Sequence, residues 1–187
     1  MRLLRGLHNI PAEFKGCAAT IGTFDGLHLG HQRIIHSLKA VSERRGVPTL
    51  VMLFEPQPKE FFAPDAAPAR LANLREKLQD LKAQQVDYVL CLPFNQALRS
   101  MSADAFIQDI LISALGIKHL IVGDDFRFGC DRRGDYQLLR EAGDKYGFEV
   151  QDTPTHELDA ERISSTRIRT ELAANNLVRA AHMLDRS

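Results

Sequence analysis

Short apolar runs alternate along the chain with longer stretches in which apolar residues recur every three or four positions. Cys17-Ala18-Ala19-Thr20-Ile21 is one such run. After it, Ile34, Ile35, Leu38 and Val41 follow helical spacing over residues 31–45, up to Gly46. Thr49-Leu50-Val51-Met52-Leu53-Phe54 is β-rich and nearly all apolar, the pattern of a strand covered on both faces. Leu71, Leu74, Leu78 and Leu81 predict an amphipathic helix, and residues 86–92 a third strand. Residues 102–115 read as a helix with Ser102 as N-cap and Gly116 just past its end. Residues 119–122 predict a fourth strand stopped by Gly123, and residues 135–146 a helix. A fifth short strand starts at 148–150, and two helices over 165–174 and 176–184 close the chain.

Repeated β-α-β units with buried strands predict an α/β fold, a parallel sheet with helices on both faces. Ligands bind such sheets beyond the carboxyl ends of the strands. Two stretches break the alternation: residues 55–69, rich in Pro and Ala, and residues 123–134, rich in Gly, Asp and Arg. Both follow strand ends, so both are expected to overhang one crevice.

Composition narrows the class. At 187 residues with 44% apolar content the chain suits one well-buried domain, 1–187. Lys plus Arg equals Asp plus Glu at 24 each, which argues against nucleic acid or an anionic membrane as main partner. Cys17, Cys91 and Cys130 have no metal-like spacing and read as free thiols of a reducing cytoplasm. No segment approaches the length of a membrane span, and the N-terminus lacks a signal-like apolar stretch.

Chemistry concentrates in four places. Gly22-Thr23-Phe24-Asp25-Gly26-Leu27-His28-Leu29-Gly30-His31 sits between a strand and a helix. Its glycines allow tight turns and close ligand approach, and a helix N-terminus offers free N–H groups and a positive dipole end to phosphate. His28 and His31, three apart, share a helix face, and either an imidazolium or a neutral N–H donor would stabilise charge on a phosphoryl oxygen. The second place is Ile163-Ser164-Ser165-Thr166-Arg167-Ile168-Arg169. Serines ahead of a helix are commonly plain N-caps, but Arg169 shares a face with Ser165 and Thr166. Arg167 projects about 200° away around an ideal helix, so it is left as solvated or flavin-side. In the third, Gly123-Asp124-Asp125-Phe126-Arg127-Phe128-Gly129, the two phenylalanines point the same way, as core plugs or as a platform for a planar ring. In the fourth, Phe54-Glu55-Pro56-Gln57-Pro58, two prolines are expected to hold an extended wall where the strand ends.

Together these motifs resemble the FMN adenylyltransferase module of bacterial FAD synthetase, within the bifunctional riboflavin kinase/FMN adenylyltransferase family. The first resembles the signature of the HxGH nucleotidyltransferases, and Ile-Ser-Ser-Thr-x-x-Arg looks like their second phosphate motif. The likeness implies a Rossmann-like fold and the reaction ATP + FMN → FAD + pyrophosphate by direct in-line displacement. It implies catalytic roles for His28, His31 and Arg169. It places ATP on Gly22, Thr23, Phe24, Asp25, Gly30, Ser164, Ser165 and Thr166, and the flavin on Phe54, Pro56, Pro58, Asp125, Phe126 and Phe128. Mg2+ would accompany ATP, held by phosphates and water, and no protein ligand for it stands out. The implied partners are small molecules, in a cytoplasmic setting, with oligomeric state left open. Many relatives carry Asn where this chain has Thr23, and Asp-Pro-His-Pro where it has Glu55-Pro56-Gln57-Pro58. Members usually continue into a β-barrel riboflavin kinase domain; this sequence stops at Ser187, so an isolated adenylyltransferase module is expected, with any riboflavin kinase on a separate chain. Rival readings are a nucleotidyltransferase for another acceptor, such as phosphopantetheine or nicotinamide mononucleotide, and a non-catalytic flavin-binding module.

Overall fold

A computed structural model describes residues 1–123, 125–153, 157–158 and 161–185. Its six parallel strands are β1 (Arg2–Arg5), β2 (Ala18–Ile21), β3 (Thr49–Glu55), β4 (Tyr88–Pro93), β5 (His119–Gly123) and β6 (Glu149–Thr153), in the order β1-β4-β3-β2-β5-β6. Parallel neighbours need crossover connections, and the helical periods supply them. The first, α1 (Leu29–Arg45), links β2 to β3; α2 (Pro58–Phe62) and α3 (Leu74–Ala83) lie between β3 and β4. Between β4 and β5 come α4 (Gln96–Ser100) and α5 (Ala103–Ala105), the latter continuing as a π-helix over Phe106–Ala114. The last crossover is α6 (Tyr136–Tyr146), from β5 to β6. Beyond the sheet lie a two-stranded antiparallel pair, β7 (Glu157–Leu158) and β8 (Glu161–Arg162), and the helices α7 (Ser165–Ala173) and α8 (Leu177–Leu184).

Alternation along the strands divides the core. Leu50, Met52, Leu90, Leu120 and Val122 point to one face, against Phe106, Ile110 and Leu139. Val51, Leu53, Val89 and Ile121 point to the other, against Ile35, Leu38 and Leu81. That is why the strands read as unbroken apolar runs: neither face meets water. A third, small cluster of Ile163, Ile168, Ala180 and Met183 seats α7 and α8 against Leu29 and Leu71. The chain steps from β2 through β3 to β4 in one direction, then places β5 on the other side of β2. The switch point therefore lies between β2 and β5, where such sheets bind ligands.

Four local expectations are corrected. Leu71 precedes α3, because Asn73 caps the helix by accepting from the Glu76 N–H at 3.0 Å. Pro58 does not hold an extended segment; it opens α2, where a missing N–H costs nothing. The helix predicted over 102–115 forms with Ser102 as its cap, but most of it is π-helical. The edge strand β1 and the short helix α4 have no counterpart in the sequence reading. In β1 only Leu4 is buried, so four residues leave no periodic signal.

Candidate active site

The strand β2 delivers the chain to the carboxyl edge of the sheet, where residues 22–28 fold as a compact turn. Phe24 (φ 46°), Gly26 (φ 82°) and Leu27 (φ 41°) all occupy the left-handed region. For the two non-glycine residues this costs about 1–2 kcal/mol each. Their side chains are 1% and 4% exposed, and burying each contributes about 1.5–3 kcal/mol, enough to offset the strain. The turn is thus held from inside, by an aromatic and a leucine driven into the core.

The helix α1 begins with His28 as its N-cap, and His28 Nδ1 accepts the His31 N–H at 3.4 Å. The His28 and His31 rings stack with centroids 3.7 Å apart and planes 18° apart. Phe24 packs against the pair at a tilt of 39°, its centroid 4.8 Å from that of His31. Gly30 leaves room for it: a Cβ there would lie 3.2 Å from the His28 ring. With Nδ1 accepting, Nε2 is the His28 atom left to donate. His31 Nδ1 is buried without a hydrogen-bond partner. Burial, then the neighbouring His28 and Lys77, push the His31 pKa well below the ordinary value of 6.5. Of the two forms left open by the sequence, the site favours a neutral His31, an N–H donor without full charge.

Asp25 is 1% exposed, and its carboxylate faces inward. It accepts from the Leu71 N–H at 3.1 Å and the Ala72 N–H at 3.0 Å, and it pairs with Arg169 Nη2. Arg169 Nε donates to the Ala69 carbonyl at 2.6 Å. Two side chains expected at the nucleotide therefore meet each other, and together they fasten the loop before α3, the 22–31 turn and α7. Ser165 strengthens the joint by donating to the Asp25 carbonyl at 2.9 Å. Ser164 caps α7, its side chain accepting the Arg167 N–H at 3.2 Å. Thr166 is exposed on the first turn of α7. Arg167 is not solvated: its side chain is 12% exposed and its Nε lies 3.9 Å from Glu171 Oε1.

The aromatic side behaves differently at each residue. Phe126 and Phe128 do point the same way, stacked 5.6 Å apart at 17°. Phe128 is buried against Phe106 at 5.4 Å and belongs to the core, whereas Phe126 is partly exposed. The exposed Asp125 stands beside them. At the end of β3, Phe54 packs edge-on to Phe94 at 5.9 Å, Pro56 is exposed after a cis peptide, and Pro58 starts α2.

The sequence reading missed several residues here. Arg70 binds Glu55 Oε1 at 2.5 Å and Glu60 at 2.5 and 2.6 Å, which raises the arginine pKa and lowers that of Glu60. Phe61 and Phe62 gather on Phe94 at 5.4 and 5.7 Å, with Phe62 59% exposed. Lys77 is 2% exposed, and burial is the main cause of its lowered pKa. The only hint for these was a charged residue on the apolar face of a predicted helix and an adjacent phenylalanine pair in a presumed loop. Among the described residues no group of three or more His, Cys, Asp or Glu could hold a metal ion. Nor is any helix among them long and apolar enough to cross a membrane.

Residues 10–167 match the family model described as FAD synthetase. The chain is 52% identical over 186 residues to the bifunctional riboflavin kinase/FMN adenylyltransferase of Pseudomonas fluorescens, covering 100% of this chain and 60% of the relative. It is 49% identical over 185 residues to the protein of the same name from Escherichia coli K12, covering 98% of this chain and 59% of that one. The sequence thus spans about three-fifths of the length of these relatives. Among solved structures, one titled as a macrolide-efflux protein from Streptococcus pneumoniae superimposes with a TM-score of 0.86 at 26% identity, over 100% of this chain and 62% of that one.

Proposed function

The chain belongs to the FAD synthetase family, and from that premise we propose that it transfers the adenylyl group of ATP to FMN, giving FAD and pyrophosphate. One observation carries the reading. The His28–His31 stack and the N-terminal turn of α7 are joined at the carboxyl end of β2, through Ser165, Asp25 and Arg169. Two phosphate-binding elements from opposite ends of the chain thereby border one place.

In this reading an FMN phosphate oxygen attacks the α-phosphorus of ATP, the bond to the β-phosphate oxygen breaks, and pyrophosphate leaves in line. No covalent enzyme intermediate is required, so the protein's work is positioning and charge stabilisation. His28 Nε2 and His31 donate toward the phosphate oxygens. The backbone around Gly22, Thr23 and Gly30 lines the adenosine side, and Thr166 with the free end of α7 takes the pyrophosphate end. Asp25, Ser165 and Arg169 hold these pieces in register. The flavin lies toward Phe54, Pro56, Asp125 and Phe126, with Phe128 and Pro58 behind as support. Mg2+ enters with ATP as part of the substrate, held by phosphate oxygens and water. The setting of the reaction is cytoplasmic.

The test is direct. Pure protein with FMN and Mg-ATP yields FAD and pyrophosphate, resolved by chromatography. Parallel reactions with nicotinamide mononucleotide and phosphopantetheine yield no adenylylated product. Absence of FAD, or preference for either alternative acceptor, overturns the proposal.

A further inference from the structure

We propose that Arg70 is a positioning residue for FMN: by gripping the carboxylates on both sides of the Pro56-Gln57-Pro58 corner, it sets where the flavin wall stands relative to the phosphate site. The proposal rests on the adenylyl-transfer reading of the site. Arg70 Nη1 and Nη2 donate to the two Glu55 oxygens at 3.3 and 2.5 Å, and its Nε and Nη2 donate to the two Glu60 oxygens at 2.5 and 2.6 Å. Glu55 ends β3, and its carbonyl accepts the Phe94 N–H at 3.2 Å, so its backbone is fixed to the sheet. Glu60 lies in α2, and its Oε2 also accepts the Gln57 N–H at 2.8 Å. One guanidinium therefore brackets the corner from both ends. The three side chains are 21–29% exposed, so water screens the network only in part.

The neighbours of Arg70 in the chain connect this clamp to the chemistry. Ala69 gives its carbonyl to Arg169 Nε of α7 at 2.6 Å. Leu71 and Ala72 give their N–H groups to Asp25 of the 22–31 turn at 3.1 and 3.0 Å. Four consecutive residues thus hold, in order, the second phosphate element, the flavin wall and the histidine turn. Their Cα atoms span at most about 11 Å. A short covalent strut, and not packing alone, sets the separation of the two substrate sites.

In-line attack needs the FMN phosphate at a fixed distance and angle from the α-phosphorus, and a misplacement near 1 Å costs roughly 100-fold in rate. A planar fork that reaches two carboxylates at once fixes an angle as well as a distance. Without it the corner moves, while the His28–His31 stack and the Asp25–Arg169 bond have their own partners and stay.

Two variants of the 187-residue protein test this. Arg70→Met strands two carboxylates; Glu55→Gln/Glu60→Gln/Arg70→Met leaves no charge behind. FMN binding is titrated by flavin fluorescence without ATP, and Mg-ATP binding by calorimetry without FMN. Both variants bind FMN about tenfold more weakly, the scale of one lost charge-assisted hydrogen bond. Both bind Mg-ATP within about twofold of wild type, as for a substitution outside that site. In turnover, KM for FMN rises and kcat falls while KM for ATP holds. The triple variant regains the melting temperature that Arg70→Met loses, but not the FMN affinity, which separates positioning from stability. Wild-type FMN affinity in the folded triple variant overturns the proposal. An equal loss of FMN and ATP affinity also overturns it, since Arg70 would then be a general structural pin. If FMN binding responds as expected and no FAD forms, the adenylyl-transfer reading alone fails; wild-type protein that binds no FMN sinks both.

Discussion

The guanidinium of Arg169 binds the carboxylate of Asp25 across 144 residues of sequence, and the acid is buried to 1% exposure. Removing one partner of a buried pair strands the other charge. Asp25→Ala is therefore expected to cost about 3–5 kcal/mol of stability. Urea denaturation of the single variants and of Asp25→Asn/Arg169→Met measures it. The double variant regains part of the loss, because it leaves no charge behind. Equal stabilities for Asp25→Ala and wild type would remove the pair from the account of the loop.

His31→Ala is expected to lower FAD formation by about 100-fold or more, the scale of losing one donor to a developing oxyanion. The control is His36, exposed on α1, whose replacement by Ala leaves turnover within twofold, taken as roughly the noise of surface substitutions. Comparable rates for the two variants would exclude His31 from the mechanism.

Gly30→Val should act through its neighbour. The added carbon meets the His28 ring at 3.2 Å and the branch closes further, so the ring must shift. A displacement near 1 Å costs roughly 100-fold in rate, while the fold persists. Turnover and melting temperature are measured together; loss of both in parallel would mean that the turn itself had collapsed.

Acid should weaken the protein well before its carboxylates titrate. His31 and His119 both have native pKa values below the ordinary 6.5, in each case chiefly through burial. As pH falls through about 6.5 the unfolded chain gains protons on both rings and the native chain does not. Stability is therefore full above that value and declines below it, toward the native pKa values. Melting scans between pH 7.5 and 5.5 should show the decline, and His119→Gln should flatten it. A rise in melting temperature on acidification would contradict the assignment.

One thiol in three should be open to reagents. Cys17 is fully buried and its pKa is pushed up to about 12, and burial also raises that of Cys91. Cys130 is partly exposed. Ellman's reagent at pH 8 should titrate one thiol in the native protein and three in guanidinium chloride. Labelling of Cys17 in the native state would show that the centre of the sheet opens.

The parallel core was legible because burial on both faces leaves unbroken runs such as residues 49–54, and Gly46 and Ser102 do end and begin helices. The spacing of His28 and His31 put them on one face, and the fold adds that their rings stack. What the sequence could not show is where a polar side chain spends its bonds. Asp25 and Arg169 each carry chemistry suited to a ligand, and only the fold shows that they meet each other. Lys77 was not singled out in the sequence, and only the fold shows that it lies on the inner face of α3. Phe126 and Phe128 share a direction by strand geometry, but their different exposure depends on Phe106, which comes from another element.

The bond between residues 25 and 169 also sets an order in time. As the chain emerges from the ribosome, β6 completes the sheet at residue 153, before either Ser165 or Arg169 has cleared the exit tunnel. Both faces of the core can close around a turn that still lacks its far anchors. A nascent domain at that stage has its sheet and its histidine turn but not yet the α7 residues that pin the turn. The joint between the 22–31 turn and α7 therefore closes last, after the sheet that carries the turn is already complete.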